Sequence, residues 1–570
     1  MKNFSGWFPF PTDYSSIDLR NDVFAGLTVG FLLVPQAIAY AILAGVPPVY
    51  GIYAALVPML IYSLLGSTPH VSVGPTALAG ILALSSLSGF AQPADPEYMR
   101  LIFLLAALTG VVQLLFGVLR LGVLVNFLSR PVISGFVSAA AVLIAFSQVK
   151  PLFGIDLPRT SYLHNTILAI GQNFGSIHGP TALASVLCII ALIVLRKWAP
   201  KWPGILLLLV AATFLTAFFR LDRIGLSILG QLPSGFPAFI LPDFGSRDVL
   251  RLLPAALVLG LISFVETLSI AKTFSESFDY YRVDPNRELI ALGSSKFIGS
   301  FFQAIPTSAS FSRSAVSVRN GTRTMVSSLI SIVLVAAATF ITPWFYYLPL
   351  PLLAAIIILS VKGLFDWKEM VRLWRLDKKD FAVLAVTFLV TLFGGLQFGI
   401  AAGVLLSLAF FILKAARPHF AELGRLSGTN AFRNLERFPH AETETDILIV
   451  RLDAELFFGN AEYFRDRLEE LVQHKGPELR LIILDAHTIH DLDSSGAYIL
   501  RRLFDRFAKA NIELYLCGTI GPVRDRLYRL GLMDRIGADR QFLSIQDALR
   551  YYRTHNPEDR DWDRPAVQHT

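Results

Sequence analysis

The chain has 570 residues, of which 54% are hydrophobic and 16% are charged, and its mean hydropathy is +0.55. A soluble globular protein carries roughly 25% charged residues, and a soluble core of this size with so little charge would expose large apolar patches. The composition therefore excludes a soluble enzyme or a disordered chain as the starting interpretation. It predicts a polytopic helical membrane protein.

The net charge of +7 is unevenly distributed. From residue 421 onward there are 21 basic and 25 acidic residues, a balance of −4, which leaves 29 basic and 18 acidic residues and a balance of +11 in 1–420. The basic residues of 1–420 are scattered through short loops between apolar runs, which favours membrane topology over nucleic-acid binding. The two cysteines, Cys188 and Cys517, do not suggest a disulfide framework.

Apolar runs that could cross roughly 30 Å of hydrocarbon recur through the first part of the chain. We place fourteen segments near 22–44, 49–66, 73–88, 101–120, 131–150, 180–196, 203–220, 250–272, 288–304, 309–319, 322–342, 346–362, 380–396 and 398–415. Two of them, 73–88 and 309–319, are too short to span alone. Each is the third segment of its half, and paired short segments of this kind indicate inverted repeats around a midplane binding site.

Loop charges predict the orientation of the chain. An even number of spans places both termini on one side, and the loop 362–380 on that side holds six Lys or Arg residues. The opposite side has tracts such as SGFAQPADPEY that are nearly free of positive charge. The positive-inside rule then places both termini in the cytoplasm. The N-terminus lacks the apolar core and cleavage site of a signal peptide, so we expect 1–20 to be a cytoplasmic segment and the first apolar run to be retained.

The remainder of the chain predicts a second domain. We expect a transmembrane domain over 21–418, a linker over 419–440, a soluble domain over 441–555 and a polar C-terminal tail over 556–570. Strand-like runs such as LRLIILDA alternate with helical runs such as SSGAYILRRLFDRFAKA. Strands alternating with helices over about 115 residues predict a small α/β domain.

The two short segments carry the residues expected to bind an anion. A half-helix that begins inside the membrane offers unpaired N–H groups and the positive end of its dipole. In the first, Gly74 permits close backbone approach and Pro75 suits the first helical turn. In the second, PTSASFSRS supplies hydroxyls, and Arg313 adds positive charge. The alternative is that these Ser- and Gly-rich stretches only permit tight helix packing.

Two further segments contain polar groups at membrane depth. In the first segment, Pro35 interrupts the helix, and Gln36 and Tyr40 share one face; alternatively, they only bond neighbouring helices. Glu266 lies deep in the eighth segment, where a carboxylate indicates a functional site. Its protonation could couple anion binding to a proton. The alternative is a fixed ion pair with Arg313 or Lys272.

Other chemistry is sparse in the sequence. There is no Gly-x4-Gly-Lys-Ser/Thr loop to suggest ATP-driven transport. The histidines and cysteines do not form the paired spacings of a metal site. We therefore expect neither a cofactor nor a metal, and no enzymatic activity.

Several motifs carry a family resemblance. The stretch DVFAGLTVGFLLVPQAIAYAILAGVPPVYGIYAALVPMLIYSLLGSTPHVSVGPTALA resembles the sulfate permease (SulP) family of anion transporters. The match continues through FVETLSIAKTF, SASFSRSAVS and NGTRT, and it ends in a domain resembling the STAS domain of sulfate transporters and anti-sigma-factor antagonists. The resemblance covers about 18–555.

The resemblance implies an architecture and a set of site residues. It implies two inverted seven-segment repeats divided into core and gate domains, a homodimer, and elevator-like alternating access. The anion would lie between the N-termini of the third and tenth segments. The positions that match the family's binding site are Gln36, Tyr40, Val73, Gly74, Thr76, Ser310, Phe311, Ser312 and Arg313. Glu266 matches the acidic position of the proton-coupled members, so the resemblance favours sulfate:proton symport in a bacterial inner membrane.

Alternatives remain within and beyond this reading. Bicarbonate or dicarboxylate transport with proton or sodium coupling, anion exchange, and a passive anion channel are implied by other family members. A nucleobase transporter of the same fold would lack the STAS-like tail, and a membrane-anchored sensor would not need two half-helices. In the tail, the LDSSG motif makes Ser494 a candidate regulatory phosphosite; alternatively, Asp493 or Ser494 only caps the following helix.

Overall fold

The structure is a computed structural model that describes residues 14–123, 129–155, 163–198, 204–275 and 282–555. Most of the predicted N-terminal segment 1–20 and the whole of the predicted tail 556–570 lie outside these ranges. The chain divides into two compact units, residues 1–407 and 408–570.

The first unit is helical. Its helices, together with the one that continues into the second unit, are α1 Ser16–Leu43, α2 Val49–Ala54, α3 Val57–Leu65, α4 Ala77–Leu87, α5 Pro96–Val118, α6 Arg130–Ser147, α7 Val149–Phe153, α8 Leu163–Gln172, α9 Gly179–Trp198, α10 Gly204–Phe218, α11 Ser246–Ser275, α12 Pro285–Ser300, α13 Phe311–Arg319, α14 Val326–Ile341, α15 Leu350–Val361, α16 Trp367–Leu376, α17 Lys378–Gly394 and α18 Leu396–Ala416. Each of the fourteen predicted segments coincides with at least one of these helices.

Within the described ranges, seven helical stretches are long and apolar enough to cross a membrane by themselves. They include α1, α5, α11 and α18. Other predicted segments are shorter: α4 has 11 residues and α13 has 9. Helices this short cannot cross roughly 30 Å at 1.5 Å per residue, as predicted for both.

Helix α1 begins earlier than the predicted span near 22–44. Ser15 accepts a hydrogen bond from the Asp18 amide, and the Asp18 carboxylate accepts one from the Ser15 amide. This capping box satisfies two amides that a helix start would otherwise leave unpaired. The helix therefore starts at Ser16, before the apolar run begins.

Helix pairings show the repeat relation. Helix α1 packs against α14, and α11 packs against α5. The first pair consists of predicted segments 1 and 11, and the second of segments 8 and 4. Segment 8 is seven after segment 1, and segment 4 is seven before segment 11, so the two pairs are equivalent under a seven-segment repeat. The same relation connects α6 with α17 (segments 5 and 13) and α15 with α9 (segments 12 and 6). The packing therefore follows the two seven-segment repeats predicted from the sequence.

Buried carboxylates fix the loops on either side of the short segments. Glu288 of α12 is fully buried and accepts from Tyr62 Oη at 2.7 Å, Ser67 N at 2.8 Å and Ser67 Oγ at 2.6 Å. Asp22 of α1 is likewise buried and accepts from Arg323 N and Thr324 Oγ1. A buried carboxylate is tolerated when hydrogen bonds replace its hydration. These contacts fix the chain before the third segment and after the tenth.

The second unit contains a six-stranded sheet of order β4-β3-β5-β6-β7-β8. Its strands, together with the helices of this unit, are β3 Phe420–Arg425, β4 Phe432–Asn434, β5 Ile447–Leu452, α19 Ala461–Lys475, β6 Leu481–Asp485, α20 Ser494–Lys509, β7 Glu513–Cys517, α21 Gly521–Arg529, α22 Met533–Ile536, β8 Gln541–Phe542 and α23 Ile545–His555. Strands β5 to β8 are parallel, whereas β3 is antiparallel to both β4 and β5.

Alternate residues of the central strands face two cores. Ile482 and Leu484 of β6 pack with α19 to α22, whereas Leu481 and Ile483 pack with α23. When a parallel sheet is covered on both faces, the sequence of each strand is a nearly continuous apolar run. This is why LRLIILDA was recognisable as a strand. Cys517 ends β7 in the second core, and burial raises the pKa of its thiol.

The stretch 419–440 differs from the predicted linker, because it contains β3 and β4. Strand β3 pairs Phe420 with Leu452 and Glu422 with Val450. Its sequence FAELGR mixes charged and apolar residues, so it lacks the apolar run that revealed β6. The sheet therefore includes two strands, β3 and β4, in the stretch that the sequence indicated as a linker.

Replacing Asp493 with alanine is expected to destabilise the second unit by about 1 kcal/mol. The Asp493 carboxylate caps α20 by accepting from Gly496 N at 2.7 Å, and it also accepts from Phe458 N at 2.8 Å. Ser494→Ala is the matched control, since the Asp493 side chain provides the cap. Denaturant unfolding of the full chain, followed by a probe in the second unit, measures both. Equal midpoints for the two variants would contradict the capping role of Asp493.

Candidate anion-binding site

The two short segments meet at a two-stranded crossing. Strand β1, Val73–Gly74, runs antiparallel to β2, Ser308–Ala309, with Val73 opposite Ala309 and Gly74 opposite Ser308. The Ser310 amide extends the crossing by donating to Ser72 O at 3.0 Å. Helices α4 and α13 begin directly after the two strands, so their N-termini lie next to each other.

The helix starts differ in how their amides are satisfied. Thr76 caps α4, with its Oγ1 accepting from Ala79 N at 3.3 Å. Ser310 precedes α13 without a side-chain cap, and its hydroxyl lies 3.2 Å from Ser312 Oγ. The backbone N–H groups in the first turn of α13 therefore have no side-chain cap and can donate to a group in front of the helix.

Arg313 connects both half-helices to α1. Its Nε donates to Ser72 Oγ at 3.1 Å, and its Nη1 donates to Gln36 Oε1 at 3.2 Å and to Pro75 O at 3.3 Å. The guanidinium is fully buried. A planar fork with several donors suits this arrangement, because one side chain can reach acceptors on α1 and on both sides of β1.

A cavity of about 2050 Å³ opens in front of the crossing. Seven of the ten predicted site residues line it: Gln36, Tyr40, Thr76, Glu266, Ser310, Phe311 and Ser312. The other three, Val73, Gly74 and Arg313, are buried behind this lining. A Cβ on Gly74 would lie 3.3 Å from Arg313 Nη2, so the absence of a side chain there lets the guanidinium pack against the strand.

Glu266 of α11 lies at the edge of the crossing. Its Oε2 accepts from Ser308 Oγ at 2.5 Å. Among the residues that the structure describes, Glu266 has no ion pair within 4 Å. The alternative prediction of a fixed ion pair with Arg313 or Lys272 therefore does not hold in this structure. Because Ser308 is the residue opposite Gly74 in the crossing, the carboxylate contacts the scaffold that holds both half-helices.

The cavity is polar and basic at its mouth. Arg130, Arg319, Lys362 and Arg372 line it there, together with Asp366 and Glu369. In the sequence, several of these basic residues indicate only the orientation of the chain. Their position around one opening could be inferred only once α6, α13 and α16 were placed together.

Sequence reasoning also missed a buried lysine. Lys296 of α12 is enclosed, and its Nζ donates to Gln113 Oε1 of α5 at 2.9 Å. The signal was present in GSSKFIGSFF, where a lysine lies within a predicted span. Within the described ranges, the structure has no group of three or more His, Cys, Asp or Glu residues that could hold a metal ion.

Comparison with known proteins identifies the family. The sequence profile of the Sulfate permease family matches residues 19–387. The chain belongs to the sulfate permease family. The profile of the STAS domain matches residues 438–548, so this family member carries the expected α/β domain after its membrane-spanning part.

Two plant relatives cover nearly the whole chain. It is 36% identical over 560 residues to "Sulfate transporter 4.1, chloroplastic" of Arabidopsis thaliana, with 95% of this chain and 81% of that protein covered. It is 32% identical over 563 residues to "High affinity sulfate transporter 2" of Stylosanthes hamata, covering 95% of this chain and 85% of that protein.

A solved structure shows the same fold. The murine Solute Carrier 26 family member A9 anion transporter in the inward-facing state superposes with a TM-score of 0.89 at 25% identity, covering 96% of this chain and 94% of that one. This family member is therefore a multi-pass membrane protein with a helical membrane core and a STAS domain. It is an anion transporter rather than an enzyme.

Proposed function

We propose that this anion transporter carries sulfate together with protons, with Glu266 as the residue that takes up the coupling proton. One observation carries the proposal: the Glu266 carboxylate bonds Ser308 within the crossing that holds the two half-helices. The coupling group and the anion site thus share one hydrogen-bonded scaffold. The names of the plant relatives support sulfate as the anion.

Electrostatics explains why the proton matters. Two unit charges 4 Å apart repel by about 4 kcal/mol at an effective dielectric constant of 20, and a dianion doubles this value. An ionised Glu266 beside the cavity would therefore oppose sulfate binding strongly. Protonation removes that repulsion and also frees the Ser308 hydroxyl from its charged acceptor. Sulfate binding and proton binding then favour each other.

The residues divide into those that meet the anion and those that hold them in place. We assign Ser310, Ser312 and the first amides of α13 as donors to sulfate oxygens. Gln36, Tyr40, Thr76 and Phe311 complete the cavity wall. Arg313, Val73 and Gly74 act from behind, with Arg313 holding Gln36 and the strand ends. Its positive charge stabilises the anion through space.

The same geometry supports an elevator-like transport cycle. In the proposed cycle, α4 and α13 move together past the gate helices in elevator-like alternating access, because β1 and β2 connect them. The open cavity and its basic mouth correspond to the cytoplasmic side. Both termini then lie on the cytoplasmic side of a plasma membrane, which we take to be a bacterial inner membrane. In this proposal the transporter works as a homodimer.

Ser494 completes the proposal as a regulatory phosphosite. It is exposed directly after the Asp493 cap of α20, where a phosphate would meet the positive end of a helix. Phosphoproteomics of sulfate-replete and sulfate-starved cells tests this assignment. An unmodified Ser494 in both conditions would remove it.

Transport by the purified full chain in proteoliposomes tests the main proposal. Radiolabelled sulfate should accumulate against its gradient when the outside is acidic, and a sodium gradient should have no effect. Unlabelled sulfate should compete, whereas bicarbonate, chloride, fumarate and succinate should compete at least about tenfold less well. Accumulation driven by sodium, or ohmic anion current without accumulation, would contradict symport.

A further inference from the structure

A buried cation lies in the helices that hold the anion site. Lys296 is 1% exposed, and its Nζ donates to Gln113 Oε1 at 2.9 Å. An ammonium has three N–H donors, and Gln113 is the acceptor that the described residues provide. An ionisable side chain within a membrane span is costly and marks a functional position. Packing alone does not account for a lysine there.

Close helix packing fixes this lysine in place. A Cβ on Gly110 of α5 would lie 2.5 Å from Phe297 N, and one on Gly293 of α12 would lie 2.6 Å from Leu114 N. Each backbone thus fills the space that a side chain on the other would need. Gln113 and Lys296 each follow one of these glycines by three residues. Lys296 and Gln113 therefore lie one helical turn beyond a close contact of the two backbones.

A hydrogen-bond chain leads from Lys296 toward Glu266. Gln113 Nε2 donates to Gly260 O at 2.7 Å and to Ser263 Oγ at 2.9 Å. Both acceptors belong to α11, and Ser263 precedes Glu266 by three residues, about one helical turn. Arg313 and Lys296 both act electrostatically on the Glu266 carboxylate, and Glu266 is the charged group that acts on Lys296. The chain thus orients the ammonium next to the helix that carries the carboxylate.

The other ionisable groups on the helices around α12 have different surroundings. Arg100 pairs with Glu97 and Asp248, and Tyr62 donates to Glu288. Arg313 donates to the groups of the crossing. Toward the helix ends lie Arg247, Arg251, Lys272 and Arg287. Glu266 is thus the carboxylate to which the charge of Lys296 is coupled.

We propose that Lys296 is the internal counter-cation of Glu266, a positioning residue that sets the charge of the anion-carrying helices. With Glu266 ionised and no sulfate bound, the charges of Glu266 and Lys296 compensate each other, so this pair adds no net charge to the anion-carrying helices. With Glu266 protonated, the ammonium is uncompensated and adds one positive charge near the dianion. Proton uptake would then both remove a repulsion and expose an attraction. This inference rests on the proposed role of Glu266.

The test is the pH profile of sulfate binding to the purified full chain. Lys296→Met should move the pH of half-maximal binding upward by about 1 unit, because a carboxyl that loses a nearby cation keeps its proton to higher pH. It should also weaken sulfate binding at low pH at least about tenfold. Lys296→Arg should restore the wild-type midpoint. Lys272→Met, on the same helix as Glu266, is the matched control and should leave the midpoint unchanged.

Two further variants separate a charge effect from a packing effect. Gln113→Glu keeps the lysine but neutralises it with a new partner, so the midpoint should again move upward; this variant also serves if Lys296→Met fails to fold. In a Glu266→Gln background, neither change should produce a midpoint shift. Weakened binding at every pH with an unchanged midpoint, in both Lys296→Met and Gln113→Glu, would overturn the inference.

The outcomes for the two proposals are distinguishable. A shifted midpoint in a protein whose wild type shows no proton-driven accumulation would overturn symport and support the counter-cation. Proton-driven accumulation by the wild type, with variant midpoints equal to its own, would support symport and overturn the counter-cation.

Discussion

Arg313→Ala is expected to reduce sulfate uptake at least about a hundredfold and to destabilise the membrane unit. The substitution leaves Gln36 Oε1, Ser72 Oγ and Pro75 O without the donor that now satisfies them. Each unsatisfied buried acceptor costs about 1–3 kcal/mol. The loss falls on the residues that bring α1 and both half-helices together, so the site should lose its geometry as well as a positive charge.

Arg313→Lys sharpens this prediction, since it keeps the charge but replaces the fork with a single ammonium. We expect it to recover less than about a tenth of wild-type uptake. Arg319→Ala is the matched control, because Arg319 ends the same helix and lies at the cavity mouth. Uptake in proteoliposomes and the thermal midpoint of the detergent-solubilised chain measure both effects. Wild-type uptake in Arg313→Lys would show that charge alone suffices there.

Glu266→Gln is expected to abolish proton-driven sulfate accumulation while leaving downhill sulfate exchange. A glutamine amide keeps the size of the side chain and can still accept from Ser308, but it cannot bind and release a proton. The variant should therefore resemble a permanently protonated site. Its exchange rate should vary less than about twofold from pH 5 to pH 8, and acidification outside the vesicle should no longer drive uptake.

Glu369→Gln serves as the control for this substitution, because Glu369 lies in the same cavity at its mouth, away from the crossing. It should retain proton-driven accumulation within about twofold of the wild type. The measurement is accumulated sulfate together with the pH inside the vesicle. Accumulation that persists in Glu266→Gln would mean that another group carries the proton.

The sequence was sufficient for the features that depend on composition and local pattern. Apolar runs located the spans, and the short segments 73–88 and 309–319 located the half-helices, because their length alone shows that they cannot cross the membrane. Lipid exposure forces spans to be apolar, which makes the pattern strong. In the second unit, β6 and β7 were recognisable because they are buried on both faces.

Long-range contacts were beyond this reasoning. The sequence predicted Arg313 as part of the anion site, but no local pattern shows that its guanidinium donates to Ser72, Gln36 and Pro75. Nor does a local pattern show that the Asp22 carboxylate bonds a loop residue 301 positions later, or that Lys296 bonds Gln113. Strand β3 was missed for a related reason, since its pairing with β5 rather than its composition makes it a strand.

The crossing of β1 and β2 also bears on how the protein is made. Ser72 and Ser314, which bond each other beside the crossing, are 242 residues apart in the chain. At a synthesis rate of about 5–20 residues per second, the second partner emerges roughly 12 to 48 s after the first. During biogenesis the first half-helix therefore enters the membrane with its strand unpaired. The nascent chain must be shielded by the insertion machinery or by neighbouring helices until the second repeat arrives.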